Sequence, residues 1–147
     1  MHWFEEHERC GADYAVLLQP TSPLRTAEDI SAAVALARKK QGDSVVSVCA
    51  VHHHLYWTRR VTADGRLDDL IPRRQTYARR QDLPSAYILS GAMHAVRRAV
   101  LLGRRIFCTD QTYAYVMPPE RSLDVDTEWD LYLADLILKD QASREIH

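Results

Sequence analysis

Two apolar runs separated by a helical pattern constrain the fold of this chain more than any other feature. Residues 14–18 are continuously apolar, and residues 44–51 are mostly apolar and rich in valine. Such runs are typical of strands buried on both faces of a parallel sheet. Pro20 and Pro23 follow the first run. Because proline cannot donate to a strand ladder, they predict a loop at the carboxyl end of that strand.

The pattern between the two runs predicts a helix. Thr26 is expected to cap it, with Asp29 in the place of the usual Glu or Gln of a capping box. Apolar residues recur at helical spacing, the basic residues 38–40 suit the negative C-terminal end, and Gly42 is expected to close the helix. Strand, helix and strand in this order predict a βαβ unit and therefore an α/β fold with a parallel sheet.

The segment 52–84 is expected to form an arm or hairpin that projects from the sheet. It is polar and rich in arginine, and it has a turn signal at Asp64-Gly65. Three consecutive histidines at 52–54 raise the question of a metal site. Adjacent residues on a strand face opposite ways and no second ligand cluster lies nearby, so a polar loop is the favoured interpretation.

Three further elements are indicated downstream. Residues 86–96 have mixed apolar character and could re-enter the sheet, and residues 114–117 predict a short strand that two prolines stop. Thr127, with Asp130 at the third position, predicts the start of a last helix.

Charge is distributed unevenly along a chain whose 147 residues indicate one domain. The formal net charge is −1, but residues 59–105 carry a net charge of +7 and residues 106–147 a net charge of −6. This distribution favours anion binding beside a carboxylate cluster that could hold a metal.

Several function classes are disfavoured. The cysteines, Cys10, Cys49 and Cys108, are odd in number and far apart, which favours reduced thiols in a cytoplasmic protein over a disulfide scaffold or a zinc module. No apolar run is long enough to span a membrane, and the first residues do not resemble a signal peptide. The arginine-rich stretch 73–81 could suggest nucleic-acid binding, but the acidic last third would repel a duplex. Recognition of a carboxylate or phosphate, or a plain solvated arm, fits better.

The sequence around two aspartates carries the strongest chemical signal. In an extended segment Asp124 and Asp126 point to the same side, while Leu123 and Val125 point to the core. Two such carboxylates can share one Mg²⁺, which fills its remaining coordination positions with water and substrate phosphate. The alternative is a solvated strand end followed by a capped helix.

The loop after the first strand lies where open α/β sheets bind ligands. Gln19, Thr21, Ser22 and Arg25 offer hydrogen-bond donors that suit phosphate groups or sugar hydroxyls. The alternative is a turn stiffened by proline, whose hydroxyls cap the following helix.

Three separated motifs resemble one family. They are residues 18–25 (LQPTSPLR), 79–84 (RRQDLP) and 124–130 (DVDTEWD). In order and spacing they are similar to motifs of the acylneuraminate cytidylyltransferases, also called CMP-sialic acid synthetases. The similarity runs over residues 10–135.

This resemblance implies a fold and a reaction. The fold is a three-layer, Rossmann-like mixed sheet of the nucleotide-diphospho-sugar-transferase type, with a dimerisation arm at residues 53–95 that reaches into the partner's active site. The reaction is transfer of CMP from CTP to the anomeric hydroxyl of an acidic nine-carbon sugar, with Mg²⁺ and release of pyrophosphate. Positioning and charge neutralisation dominate such transfers. The resemblance also implies a homodimer.

The resemblance also implies roles for individual residues. Asp124 and Asp126 would hold the metal, and Arg80 would face the sugar carboxylate or the phosphates. The residues implied to bind substrate are Gln19, Ser22, Arg25, Gln81, Ser90, His94 and Phe107.

The sequence departs from the family pattern in two ways. Ser90 and His94 stand where the family usually has Asn and Tyr, which implies a different sugar preference or a weaker affinity. No glycine-rich basic loop of the kind that cradles a triphosphate is found, because all five glycines are isolated. Residues 1–147 are therefore expected to be the C-terminal part of such an enzyme, N-terminally truncated. The alternative is a catalytically incompetent or degenerate homologue that acts only as a dimerisation or sugar-binding domain.

Overall fold

The computed structural model describes residues 11–71 and 79–145, except for the side chains of Arg80 and Glu145. Within these ranges the chain forms two compact units, one from residues up to 49 and from 89 onward, the other from residues 50–88. The elements in chain order are β1 (Tyr14–Leu18), α1 (Ala27–Lys40), β2 (Ser44–Ala50), β3 (Arg59–Val61), β4 (Leu67–Asp69), β5 (Tyr87–Arg97), α2 (Arg98–Arg104), β6 (Thr112–Met117) and α3 (Glu128–Glu145).

The first unit is built on a four-stranded sheet in the order β1-β5-β2-β6. β1 pairs with β5 in the antiparallel sense, with Tyr14 opposite Arg97, whereas β2 pairs with β6 in the parallel sense, with Ser44 opposite Thr112. The parallel sheet that the βαβ pattern predicts is wrong in part, because β5 lies between β1 and β2 and pairs with β1 in the antiparallel sense. The mixed sheet that the family resemblance implies is confirmed. The sheet is mixed, and the α/β class with three helices is compatible with a Rossmann-like fold.

The core of the first unit lies between α1 and the sheet. Ala33 and Ala37 face the sheet from α1 and are fully buried, as are Val45 of β2 and Met93 of β5. Small alanines on the buried face of α1 allow the helix to pack closely against the strands. The core therefore joins the predicted βαβ unit to β5.

Both ends of α1 are defined by local chemistry. The predicted capping box is confirmed: the Asp29 backbone N–H donates to Thr26 Oγ1 at 3.3 Å, and the Thr26 N–H donates to Asp29 Oδ2 at 3.0 Å. The helix is closed by Gln41, in the left-handed conformation with φ of 51°, and not by Gly42. Gly42 meets a different need, since a Cβ there would lie 2.6 Å from the ring of Tyr113.

The last helix, α3, begins as predicted. Thr127 caps it, accepting from the Asp130 N–H at 3.3 Å, and Asp130 Oδ2 accepts from the Thr127 N–H at 2.9 Å. This exchange holds the pKa of Asp130 below its usual value, first through the Thr127 hydroxyl. None of the helices in the described ranges is long and apolar enough to cross a membrane.

The second unit contains the predicted hairpin. β3 and β4 pair in the antiparallel sense around a turn in which Gly65 has a φ of 84°, a conformation that favours glycine. Of the three histidines, His54 is buried: its Nδ1 accepts from the Tyr56 N–H, so its Nε2–H donates to the Pro84 carbonyl at 3.0 Å. The three histidines lie in a loop, as the favoured interpretation had it, and within that loop His54 ties the two ends of the unit together.

The second unit ends at residue 88, whereas the predicted arm extends to residue 95. Residues 93–97 of β5 pair with β1 and belong to the sheet of the first unit.

Candidate functional site

Two candidate polar side chains converge above Gly91. A Cβ at this position would lie 2.7 Å from Gln19 Oε1 and 2.9 Å from Asp124 Oδ2. Gly91 has a φ of +72° within β5, a conformation that L side chains rarely adopt. The glycine therefore both accommodates this backbone conformation and leaves the space that the Gln19 and Asp124 oxygens occupy.

The Asp124 carboxylate has one buried, unpartnered oxygen in the described part of the chain, and its backbone segment is attached to the loop after β1. Asp124 is half-buried, and its Oδ1 is buried without a hydrogen-bond partner within residues 11–71 and 79–145. The next residue, Val125, donates its backbone N–H to the Thr21 carbonyl at 2.8 Å, which joins the aspartate segment to the loop after β1. A buried unpartnered carboxylate oxygen is costly, so it is a natural position for a bound cation or donor.

Asp126 is exposed, and its backbone N–H donates to Asp130 Oδ2 at 3.3 Å. With Asp124 it supplies the hard oxygen donors that Mg²⁺ prefers, and Mg²⁺ commonly uses only one or two protein carboxylates. Within the described ranges no group of three or more His, Cys, Asp or Glu side chains could hold a metal. The residues therefore fit a magnesium ion that relies on water or substrate for its other ligands.

The loop after β1 is anchored by Arg25. Its Nη1 donates to the carbonyl of Gln19 at 3.2 Å and to that of Ala92 at 2.5 Å, which fixes the loop against β5. Ser22 is 1% exposed, and its Oγ lacks a partner in the described part of the chain. Arg25 thus shapes the loop, and the direct contacts of Arg25 and Ser22 with substrate stay predictions.

Sequence reasoning missed a buried ion pair beside this site. The Arg121 guanidinium donates to both carboxylate oxygens of Asp29, from Nε at 2.9 Å and from Nη2 at 2.8 Å, and the Tyr115 hydroxyl donates to the same carboxylate at 3.0 Å. Arg121 is the first cause that holds the pKa of Asp29 far below its usual value. Burial, and then the bond to Asp29, raise the pKa of Tyr115. Only the capping position of Asp29 was visible in the sequence.

Two other predicted residues lie on β5. Ser90 is 4% exposed, and its hydroxyl donates to Ser47 Oγ at 2.8 Å within the core, which favours a structural role over a contact with sugar. His94 is half-buried and meets the ring of Phe107 edge-on at 5.9 Å. Burial lowers the pKa of His94, and its Nδ1 has no partner among the described residues. The structure therefore brings together His94 and Phe107 but turns Ser90 inward.

The remaining predicted residues belong to the second unit. Arg80 and Gln81 lie in a short 3₁₀ turn, Arg80–Asp82. Gln81 is exposed, and the side chain of Arg80 lies outside the described part of the structure. The roles of both stay predictions.

A cavity of about 550 Å³ in the first unit lies away from these residues. It is lined at the start of β1 by Tyr14, at the end of β5 by Arg97 and after α1 by Gln41. Ligands of open α/β sheets bind at the carboxyl ends of strands. Gln19 follows the carboxyl end of β1, so the convergence above Gly91 is the better candidate.

Comparison with known proteins identifies relatives over most of the chain. No family model matches it. It is 37% identical over 131 residues to the N-acylneuraminate cytidylyltransferase of Streptococcus agalactiae serotype V, covering 88% of this chain and 32% of that protein. It is 28% identical over 130 residues to the CMP-N,N'-diacetyllegionaminic acid synthase of Legionella pneumophila, covering 86% and 54%. It is also 23% identical over 137 residues to the post-translational flagellin modification protein B of Campylobacter coli, covering 93% and 57%. The chain thus spans about a third of the length of the first relative.

Proposed function

We propose that this chain, a homologue of the N-acylneuraminate cytidylyltransferases over most of its length, serves in the transfer of CMP from CTP to the anomeric hydroxyl of a sialic-type acid. Pyrophosphate is the second product. A nonulosonic acid is the proposed acceptor, because the relatives named above include both an N-acylneuraminate cytidylyltransferase and a legionaminic acid synthase.

The observation that carries this proposal is the convergence of Gln19 and Asp124 above Gly91. The two side chains come from two of the three motifs on which the family resemblance rests. A carboxylate oxygen and an amide oxygen that meet at the end of a strand suit a metal and a sugar hydroxyl, respectively. The approach of these two groups to the same point supports the proposed transfer.

The proposed mechanism relies on positioning. Asp124 and Asp126 would hold Mg²⁺, which when bound neutralises the charge of the triphosphate and orients it. Gln19 would hold the acceptor sugar, since its side-chain amide offers both a donor and an acceptor. His94 and Phe107 would form a wall of the sugar pocket, with the half-buried imidazole supplying a polar contact. Arg80 and Gln81 are proposed to contact the sugar carboxylate or the phosphates.

A homodimer is the proposed assembly, with the second unit as its dimerisation arm. The cross-strand pair Val61 and Leu67 in the hairpin of that unit is 67% and 68% exposed. Leu55, Leu70 and Ile88 of the same unit are also exposed. Apolar side chains that cluster on a surface are typical of an interaction site.

The test of the proposed reaction is pyrophosphate release from CTP and N-acetylneuraminic acid in the presence of Mg²⁺. We expect activity in the unmodified chain and a loss of about 100-fold or more in Asp124→Asn, since even residues that only support a metal ligand cost 10–100-fold. Asp140→Asn is the matched control, because Asp140 is exposed and pairs with Arg144 on the same helix, α3. Full activity in Asp124→Asn would contradict the metal assignment.

A calorimetric titration with CTP and with the sugar separates this proposal from its alternative. Saturable sugar binding without CTP binding or turnover would support the catalytically incompetent sugar-binding domain. CTP binding with turnover would support the transferase.

A further inference from the structure

The ion pair between Asp29 and Arg121 is held by several hydrogen bonds but takes no direct part in the proposed reaction. Asp29 is 1% exposed, and both of its oxygens are engaged by the Arg121 guanidinium at 2.8–2.9 Å. Oδ1 also accepts from the Tyr115 hydroxyl, and Oδ2 from the Thr26 backbone N–H at 3.0 Å. The carboxylate is therefore a fixed anchor at the first turn of α1.

Arg121 connects this anchor to the chain that carries Asp124. The segment between them is short and is itself held: the Ser122 hydroxyl donates to the Pro118 carbonyl at 2.8 Å, and the Val125 N–H donates to the Thr21 carbonyl at 2.8 Å. The backbone of Asp124 thus lies between two attachment points, Arg121 on one side and Val125 on the other.

We propose that Arg121 is a positioning residue. Its bidentate ion pair with Asp29 fixes the position of Asp124 next to Gln19 at Gly91. The positioning rests on geometry alone, whereas its consequence for metal binding rests on the proposed function. Among the described residues Arg121 makes no hydrogen bond or ion pair with Gln19 or Asp124, so it acts through the backbone that it holds.

The bidentate geometry of the Arg121–Asp29 ion pair distinguishes positioning from charge compensation. A guanidinium presents two parallel N–H groups to a carboxylate, whereas the ammonium of lysine is a single point charge. Arg121→Lys therefore keeps the positive charge that buried Asp29 requires but removes the orientation. A role limited to charge compensation would be rescued by lysine, and a positioning role would not.

The experiment compares the unmodified chain with Arg121→Lys, Arg121→Gln and Arg104→Lys. Arg104 is the matched control, because it is exposed and its ion pair with Asp43 is long, at 3.9 Å. The first readout is amide hydrogen exchange at Val125, relative to that at Met93, whose N–H donates to Ser47 Oγ in the core. The second readout is Mn²⁺ binding, followed by electron paramagnetic resonance with no nucleotide present.

We expect exchange at Val125 to accelerate about tenfold in Arg121→Lys while exchange at Met93 and the melting temperature change little. Mn²⁺ affinity should fall by about tenfold in the same variant, the scale of effects on residues that orient metal ligands. Arg121→Gln should show larger changes, and Arg104→Lys none. If Arg121→Lys destabilises the whole fold, Tyr115→Phe supplies a milder loosening of the same anchor and should accelerate Val125 exchange selectively.

Wild-type exchange at Val125 in Arg121→Lys, or equal acceleration at Val125 and Met93, would overturn the positioning role. If Mn²⁺ binds nowhere on the unmodified chain, the metal assignment in the proposed function fails. In that case the ratio of amide exchange rates at Val125 and Met93 still decides the role of Arg121.

Discussion

The absence of a side chain at Gly91 determines the geometry of the candidate site. Two constraints at Gly91 both require glycine. The φ of +72° is a backbone conformation that other residues rarely adopt, and the two nearby oxygens leave no room for a Cβ. The Gln19 and Asp124 side chains can meet only because β5 presents bare backbone at this point. A methyl group there would have to displace both oxygens.

Gly91→Ala is predicted to destabilise the fold by about 1–3 kcal/mol, the cost of holding a non-glycine residue in an unfavourable backbone conformation. It should also lower the proposed cytidylyl transfer, since both Gln19 and Asp124 must move. Gly103→Ala in α2 is the matched control, because among the described residues the added Cβ meets nothing within 4 Å beyond its own helix, and alanine favours a helix. Urea unfolding of both variants checks the prediction, and equal stability of the two would contradict it.

At the scale of elements, α1 connects several parts of the first unit through Asp29 in its first turn. Its first turn carries a carboxylate that caps the helix and at the same time binds Arg121 from the turn after β6. The Tyr115 hydroxyl adds a contact from β6 itself. One aspartate therefore joins a helix start, a strand and the segment that leads to Asp124.

Asp29→Asn is predicted to destabilise the chain by about 3 kcal/mol at pH 7, the low end for a buried ion pair that loses one partner, because Arg121 is 36% exposed. The pKa of Asp29 is lowered in the folded state, so its contribution to stability is present above the usual aspartate pKa of about 4 and is lost as pH falls below it. Asparagine does not titrate.

The difference in unfolding free energy between wild type and Asp29→Asn should therefore narrow between pH 7 and pH 3. Urea unfolding at the two pH values measures it, with Asp140→Asn as an exposed control expected to change stability by less than about 0.5 kcal/mol. A difference that stays constant with pH would show that Asp29 does not contribute through its charge.

At the scale of the whole molecule, the chain divides into a sheet unit that carries the candidate site and a second unit that carries exposed apolar residues. In the second unit Val61 faces Leu67 across the hairpin, and both are largely exposed. Burying this pair against a second copy would remove apolar surface from water, which is the main source of affinity in homodimers.

Leu67→Glu is predicted to weaken self-association by at least about tenfold, because a charge would have to be buried in an apolar contact. Sedimentation velocity over a range of concentrations measures the effect. Leu102→Glu on α2 is a control outside the second unit, at a position that is 39% exposed. A wild-type chain that stays monomeric at all concentrations, or a Leu67→Glu variant that dimerises as wild type does, would contradict the proposed arm.

Much of the local structure could be predicted from the sequence. The capping pairs Thr26 with Asp29 and Thr127 with Asp130, and the turn at Gly65, were all visible as short patterns. They depend on atoms only a few residues apart, so local composition is sufficient to specify them. The same is true of the motifs that led to the family resemblance, since each is a continuous stretch.

The position of β5 in the sheet and the set of residues in the candidate site could be found only from the tertiary structure. β5 was only a segment that could re-enter the sheet, yet it lies between β1 and β2 and makes the sheet mixed. Ser90 was assigned to the sugar and lies in the core, where its hydroxyl bonds to Ser47. Strand order and side-chain direction depend on partners far away in the chain, which local patterns do not encode.

The sequence by itself determined the α/β class, the helix starts, the hairpin and the resemblance to cytidylyltransferases, because each of these follows from neighbours in the chain or from continuous motifs. Only the tertiary structure decided that Gln19 and Asp124 meet above Gly91 and that Arg121 reaches Asp29 across 92 residues of sequence. Those contacts exist because the mixed sheet brings distant segments to the same place, where close packing leaves room for few side chains.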